Sequence, residues 1–139
     1  MNIIKPSSSM RVKPIETYEL ETECLFGECV EVLHNYYEWF YCKLLTDNYC
    51  GWVLKKDLGN ILPATHRVIS KRTFLFKNKD VKSGCIHYLP LGAKLSVKEI
   101  EDSWVKVCLP NNYSQEFAYV PNQHIVTIDH KFKDWVSIA

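Results

Sequence analysis

The chain has 139 residues, of which 47% are hydrophobic, 13% aromatic and 24% charged. This length allows one domain or two small ones, and the apolar fraction is high enough to form a core, which excludes wholesale disorder. Seventeen lysines and arginines against sixteen aspartates and glutamates leave a formal net charge of +1, which argues against nonspecific nucleic-acid binding.

The first ten residues are largely polar and include Pro6 followed by three consecutive serines. Because this composition buries little apolar surface, residues 1–10 are predicted to be a flexible leader, and regular structure is predicted to start near Arg11. The leader lacks the apolar stretch of a signal peptide, and no later segment is long enough to span a membrane.

Six cysteines invite a comparison with disulfide scaffolds and metal sites. The sequence contains no Cys-x-x-Cys pair and its five histidines are scattered, so neither a metal site nor any other cofactor is predicted. Since no export signal is seen, we expect a cytoplasmic protein whose reduced cysteines act as small hydrophobic residues in strands. The cysteines are Cys24, Cys29, Cys42, Cys50, Cys85 and Cys108.

Beyond residue 11, apolar residues alternate with a period of two, which is typical of short β-strands. Turn-forming residues at 34–35, 46–48 and 80–84 separate these runs closely enough for antiparallel hairpins. The alternation is clearest at Val30 and Val32, at Phe40, Cys42 and Leu44, and at Cys50 and Trp52.

The sequence also repeats itself. The offset between the copies is 65 residues at first and 67 after the loop at 110–113, where an insertion costs little. A repeat of this length indicates two copies of one small β-module. The matching positions are Gly27 and Gly92, Val30 and Leu95, Val32 and Val97, Trp39 and Trp104, and residues 51–53 and 118–120.

Each copy has the strand order of an SH3-like barrel, including a short turn before the last strand. We therefore predict an all-β fold of two SH3-like small barrels in tandem, over residues 11–62 and 63–128. The predicted core of the first is Leu25, Val30, Val32, Trp39 or its alternating neighbours, Val53 and Leu58. That of the second is Leu91, Leu95, Val97, Val105, Val107, Val120 and Ile125.

The first copy resembles a bacterial SH3 domain, most specifically in Leu-Phe-Gly-Glu at 25–28 and Asp-x-Tyr-x-Gly-Trp-Val at 47–53. Residues 63–93 resemble the second SH3 module of NlpC-type cysteine peptidases, which hydrolyse peptidoglycan stem peptides. In that family, tandem SH3 modules precede a catalytic domain that opens much like residues 134–139. The resemblance implies a noncatalytic module, with residues 129–139 as a linker and helix start leading to a catalytic domain absent from this chain.

The nucleophilic cysteine of that family lies in an Asp-Cys-Ser-Gly context at a helix start, which lowers its pKa. None of the six cysteines here has this context. No catalytic residue and no enzymatic activity are therefore predicted for this chain.

Aromatic residues crowd two adjacent predicted strands and their loop, and a small barrel cannot enclose them all. Those facing outward can stack on a peptide or a sugar. Core packing is the stronger interpretation for Trp39 and Trp52, whereas loop positions favour exposure of the tyrosines. The resemblance implies that the first module lines the substrate cleft. The predicted substrate-binding residues are Tyr36, Tyr37, Asp47, Tyr49 and Trp52.

The expected partners are peptidoglycan stem peptides or the catalytic domain of the same peptidase. The alternative is a free-standing SH3-like module that binds another protein or peptide, as eukaryotic SH3 domains bind polyproline. The Ala-Leu-Tyr-Asp-Tyr type of signature of those domains is absent, which weakens the alternative. Acidic residues dominate before residue 39 and basic ones between 67 and 82, a segregation better interpreted as solvated strand faces than as a docking surface.

Overall fold

The computed structural model describes residues 1–15, 20–111 and 113–129. These residues form β-strands joined by short turns, three of which are single-turn 3₁₀ helices at Lys55–Asp57, Val81–Ser83 and Asn122–His124. The strands are β1 (Asn2–Ile3), β2 (Ser7–Arg11), β3 (Leu20–Leu25), β4 (Val30–Tyr36), β5 (Trp39–Leu44), β6 (Cys50–Leu54), β7 (Leu58–Gly59), β8 (His66–Val68), β9 (Arg72–Phe76), β10 (Cys85–Pro90), β11 (Lys94–Leu95), β12 (Val97–Glu101), β13 (Trp104–Cys108), β14 (Phe117–Pro121) and β15 (Ile125–Thr127).

Two five-stranded antiparallel sheets dominate the fold, one from each copy of the repeat. Their strand orders are β3-β2-β6-β5-β4 and β10-β9-β14-β13-β12, and the small sheets β1-β7 and β11-β8-β15 complete the two modules. The register also repeats, since Arg11 lies opposite Trp52 in the first sheet and Phe76 lies opposite Tyr119 in the second. The all-β prediction is confirmed, and the arrangement is consistent with two SH3-like small barrels.

The prediction of a flexible leader over residues 1–10 is wrong. Strand β1 pairs with β7, and β2 pairs with both β3 and β6. Ile3 and Met10 are completely buried, and the buried Ser8 hydroxyl donates to the Asp57 carboxylate at 2.7 Å. The serines are compatible with a strand because only alternate residues face the core, and Ser8, which does, has a hydrogen-bond partner. At the other end, the predicted linker and helix start at 129–139 lies outside the described residues except for Asp129.

The core follows the alternation with corrections at four predicted positions, of which Leu25 and Val97 are half-buried. Val32 and Leu91, both predicted to be buried, are exposed. Val32 lies on the edge strand β4, next to a register shift at Val32/His34 that turns the strand out of the regular pleat. Leu91 precedes the tight turn at Gly92 and is 55% exposed.

Phe26 joins the two modules. It belongs to the first module by sequence, yet it is completely buried in the core of the second, together with Leu75, Leu89 and their neighbours. The Lys94 amide donates to the Phe26 carbonyl oxygen at 2.8 Å. On the other side, the Tyr113 hydroxyl donates to the Ile4 carbonyl oxygen at 2.6 Å, and its ring meets that of Phe26 edge-on. The modules therefore share one apolar junction.

Glycine is required at the turn that follows Phe26. Gly27 has a φ of 86°, in the left-handed region, and its amide donates to the Ile3 carbonyl oxygen at 2.8 Å. A Cβ atom at this position would overlap the Lys94 carbonyl oxygen. The repeat preserves the turn, since Gly92 has a φ of 93° and donates to the Val68 carbonyl oxygen at 2.9 Å.

Candidate functional site

Neighbouring strands of the first module carry aromatic residues on their outer face. On β5 and β6 the alternation is unambiguous, because Cys42 and Val53 are buried while Tyr41 and Trp52 are only partly covered. The two rings lie side by side on this face because Tyr41 and Trp52 are register partners on adjacent strands. With residues from β4 and its turn they form what we call the aromatic strip, which consists of His34, Tyr36, Tyr37, Tyr41 and Trp52.

Ring contacts run through the whole aromatic strip. The Tyr41 and Trp52 centroids are 5.1 Å apart, and His34 adds a contact of 5.9 Å to Tyr41. On the other side, Tyr36 meets Trp52 edge-on at 6.1 Å and meets Tyr37 edge-on at 4.7 Å. Tyr36 is 50% exposed. The strip is therefore a contiguous and accessible aromatic surface, which can stack on the apolar faces of a ligand.

Tyr37 occupies an unfavourable backbone conformation at the tip of the β4–β5 turn. Its φ is 51°, a left-handed value that is rare for bulky residues, and its ring is 80% exposed. The equivalent residue of the second module is Asp102, also at 51°, and aspartate tolerates this region better. Tyrosine at this position therefore costs local stability with no burial in return, which favours a functional role for its ring.

Comparison with known proteins identifies the type of the first module. Residues 10–58 match the family model described as the bacterial dipeptidyl-peptidase SH3 domain. Over these residues the first module is therefore similar to a bacterial SH3 domain. The matched segment contains the whole aromatic strip, so the strip is a surface of this SH3-like module.

The fold of both modules together is also found in a solved structure. An NlpC/P60 family protein from Bacillus cereus matches with a TM-score of 0.69 and 14% sequence identity, over 91% of this chain and 55% of that one. NlpC2 and NlpC1 from Trichomonas vaginalis match with TM-scores of 0.37 and 0.36 and identities of 11% and 10%. These matches cover 95% of this chain in both cases, and 48% and 46% of theirs.

At these identities, the Bacillus cereus match shows a shared fold, and the chain spans about half the length of that protein. None of the curated proteins compared matches the sequence.

The first module brings together three of the five predicted substrate-binding residues, namely Tyr36, Tyr37 and Trp52. Asp47 and Tyr49 are exposed but lie in the β5–β6 turn, at the opposite end of β5. A six-residue strand places the two ends roughly 17 Å apart. Asp47 and Tyr49 are therefore not part of the aromatic strip.

The two tryptophans of the first module differ in burial. Trp39 is buried, as the core interpretation predicts, whereas Trp52 is half-buried and contributes its ring to the strip. Two members of the strip, His34 and Tyr41, are missing from the predicted site. The period-two alternation places Tyr41 on the outer face with Trp52, but register pairing across strands was needed to add His34.

The two buried thiols in the core of the first module lack the properties of a nucleophile. Burial raises the pKa of Cys24 from its ordinary 9.0 to about 12, and that of Cys42 to about 11. A nucleophilic cysteine needs a lowered pKa, so both side chains remain inert thiols at neutral pH. Among the described residues, no three His, Cys, Asp or Glu side chains gather into a possible metal site. No helix within the same residues is long and apolar enough to cross a bilayer.

Proposed function

We propose that this chain is the noncatalytic tandem-SH3 part of an NlpC-type peptidase that cleaves peptidoglycan stem peptides, and that the aromatic strip contacts the substrate. The observation that carries the proposal is the contiguous ring surface of Tyr36, Tyr37, Tyr41 and Trp52, of which the first two are exposed and the last two half-buried. The fold shared with an NlpC/P60 family protein supports the peptidase context.

The chemistry of the strip suits a short peptide. Its rings are held edge-to-face or tilted, so parts of several ring surfaces face solvent at angles to one another. An aromatic contact of this kind contributes about 0.5–1.5 kcal/mol beyond area burial. Two or three such contacts together with the apolar area that they bury, less the cost of immobilising the peptide, are expected to give weak affinities, on the order of 1 mM. This strength fits a wall of a cleft better than a complete binding site, and the catalytic domain would supply the remaining contacts.

The proposal includes a cytoplasmic location, where stem peptides are available during wall recycling. All six cysteines are free thiols, and this supports a reducing compartment.

The test is an NMR titration of the ¹⁵N-labelled chain with the tripeptide L-Ala-γ-D-Glu-diaminopimelate. We expect saturable shifts confined to residues around Tyr36, Tyr37 and Trp52, because these line one continuous surface. Tyr36→Ala should weaken binding about threefold to tenfold, the loss of one aromatic contact. Tyr49→Ala is the matched control, because Tyr49 is also 50% exposed but lies at the far end of β5.

Equal losses in the two variants would contradict a site at the strip. Saturable binding of a polyproline peptide without any response to the tripeptide would instead favour the general peptide-interaction module. Absence of binding to both would leave the chain as a scaffold and refute substrate contact.

A further inference from the structure

The first module also has a pocket, which is built from residues other than those of the aromatic strip. It is a pocket of about 340 Å³, close to the lower end of small-molecule sites, which hold roughly 300–1,000 Å³. Strand β2 forms one side, and the end of β6 with the following 3₁₀ turn forms the other. The lining residues are Ser7, Ser8, Ser9, Arg11, Trp39, Leu54 and Asp57.

One hydrogen bond positions the carboxylate of the pocket, and two of the serine hydroxyls have hydrogen-bonding capacity to spare. The buried Ser8 hydroxyl donates to Oδ2 of Asp57 at 2.7 Å, which fixes the carboxylate. Oδ1 of Asp57 accepts no hydrogen bond from the described residues. The hydroxyls of Ser7 and Ser9, on the opposite face of β2 from Ser8, are likewise unpaired within the described chain. The pocket thus offers a fixed acceptor and two hydroxyls that can donate or accept.

The second module shows that the barrel does not require this pocket. The register places Thr73 where the first module has Ser8, and Thr73 Oγ1 lies 2.7 Å from Nδ1 of His124, the counterpart of Asp57. The supporting hydrogen bond is therefore kept in both copies. The residues that line the pocket are not kept in the second module, where Phe74 and Phe76 occupy the positions of Ser9 and Arg11.

The two phenyl rings occupy the corresponding strand positions in the second module, where Phe74 remains 38% exposed. Their centroids are 6.2 Å apart, and Phe76 packs edge-on against Trp104 at 5.6 Å. Trp104 is the counterpart of Trp39. An aromatic filling is thus compatible with the same backbone, and the first module instead has small hydroxyl residues and an arginine around its tryptophan.

We propose that this pocket binds one ring of a neutral sugar. A sugar ring presents hydroxyls that both donate and accept, which match Ser7, Ser9 and Asp57, and apolar C–H surfaces, which match Leu54 and the 7% of Trp39 that remains exposed at the pocket. The nearby Arg11 guanidinium and Asp57 carboxylate give the lining charges of both signs, so a ligand with a single charge would face one group of like charge. The site is separate from the aromatic strip, and its function does not depend on the ligand of the strip.

The experiment is an NMR titration of the full ¹⁵N-labelled chain with N-acetylglucosamine, with glucose, and with alanine as a zwitterionic comparison. We expect saturable shifts at Ser7, Ser9, Asp57 and the Trp39 indole N–H for at least one sugar. The dissociation constant should be on the order of 1 mM, typical of a small ligand held by a few hydrogen bonds.

Two variants connect the shifts to the pocket. Ser9→Phe introduces the ring that the second module has at this position and should weaken sugar binding at least about tenfold. Ser114→Phe is its control, because Ser114 is exposed and outside the pocket, and binding should be unchanged. If Ser9→Phe does not fold, the double variant S7A/S9A decides, since it removes both hydroxyls without adding volume.

The proposal is overturned if neither sugar produces saturable shifts, or if alanine binds while both sugars do not. Sugar binding that persists unchanged in Ser9→Phe or in S7A/S9A also overturns it. Since the stem-peptide titration uses the aromatic strip, Ser9→Phe should leave that response intact, and the two proposals can fail separately.

Discussion

The junction between the modules yields the sharpest stability prediction. Phe26 lies in the first module by sequence but is completely buried in the core of the second. The substitution Phe26→Ala removes its ring and leaves the backbone hydrogen bond from Lys94 to the carbonyl of residue 26 possible. The loss should therefore be one of packing, and it should appear mainly in the second module.

The expected loss of unfolding free energy in Phe26→Ala follows from the complete burial of the phenylalanine ring. Transferring a fully buried phenylalanine side chain to water costs about 1.5–3 kcal/mol. A residual cavity of roughly 100 Å³ adds about 2 kcal/mol at ~24 cal/mol per Å³. The sum, about 4 kcal/mol, lies within the ~3–5 kcal/mol usual for Phe→Ala in a core and is a large part of the stability of a small domain.

Native-state hydrogen exchange can assign this loss to one module. The core amides of Val105, Val107 and Val120 should lose protection by several hundred-fold, the equivalent of about 4 kcal/mol. Leu91→Ala is the matched control, because Leu91 occupies the same turn position in the repeat but is exposed, and it should cost less than about 0.5 kcal/mol. Protection that falls less than tenfold in Phe26→Ala, or equally in both variants, would refute the shared junction.

Three further predictions concern the turns and the buried thiols. Gly27→Ala should destabilise the chain by more than about 2 kcal/mol in urea unfolding, because its Cβ would overlap the Lys94 carbonyl oxygen and its φ is 86°. Tyr37→Asn should raise the unfolding free energy by roughly 0.5–1 kcal/mol while weakening tripeptide binding in the NMR titration, since asparagine tolerates a φ of 51°. Above pH 9, Cys24 and Cys42 lose their protons in the unfolded chain, whereas both thiols stay protonated in the folded chain because burial raises their pKa values. Stability should therefore fall by about 1.4 kcal/mol per pH unit per thiol up to about pH 11, and urea curves of the C24A/C42A variant should lack this loss.

Much of the fold is encoded locally and could be predicted from the sequence. Period-two alternation and the repeat identify most strands and the two-module organisation, because each residue that alternates inward has a counterpart in the other copy. The repeat also predicts the first strands, which the polar composition of residues 1–10 does not. Ile3 and Met10 correspond to Val68 and Leu75 at the same offset of 65 residues, and all four are buried. Composition failed at residues 7–9 because a serine can face the core when, as at Ser8, its hydroxyl is paired.

The candidate site was less predictable because it depends on contacts between strands. Crowding of aromatic residues indicates an aromatic surface, but Tyr36 and Tyr49 look alike in sequence and lie at opposite ends of β5. Only the hairpin register separates them. The burial of Phe26 is hidden for a similar reason, since its contacts are made with a module that begins some forty residues later.

The two copies of the module are alike at positions that maintain the fold and differ at the aromatic strip. Positions that maintain the barrel are alike, such as the paired turn glycines and the hydrogen bond from β2 or β9 to the 3₁₀ turn before the last strand of the module. The outer face is not alike, because the second module has charged residues where the first has most of its aromatic strip. The strip of the first module consists of His34, Tyr36, Tyr37, Tyr41 and Trp52. The corresponding residues of the second module, in the same order, are Glu99, Glu101, Asp102, Lys106 and Tyr119.

In the second module, this face is involved in ordinary surface pairing, with Lys79 and Glu101 in a salt bridge at 3.1 Å. Such exposed pairs contribute little to stability, and charged residues there keep the surface soluble. An aromatic surface at the same place is therefore not a requirement of the fold. Its presence in the first module alone, together with the left-handed backbone of Tyr37, supports the proposal that the first module supplies the ligand contacts, while the burial of Phe26 in the second module connects the two.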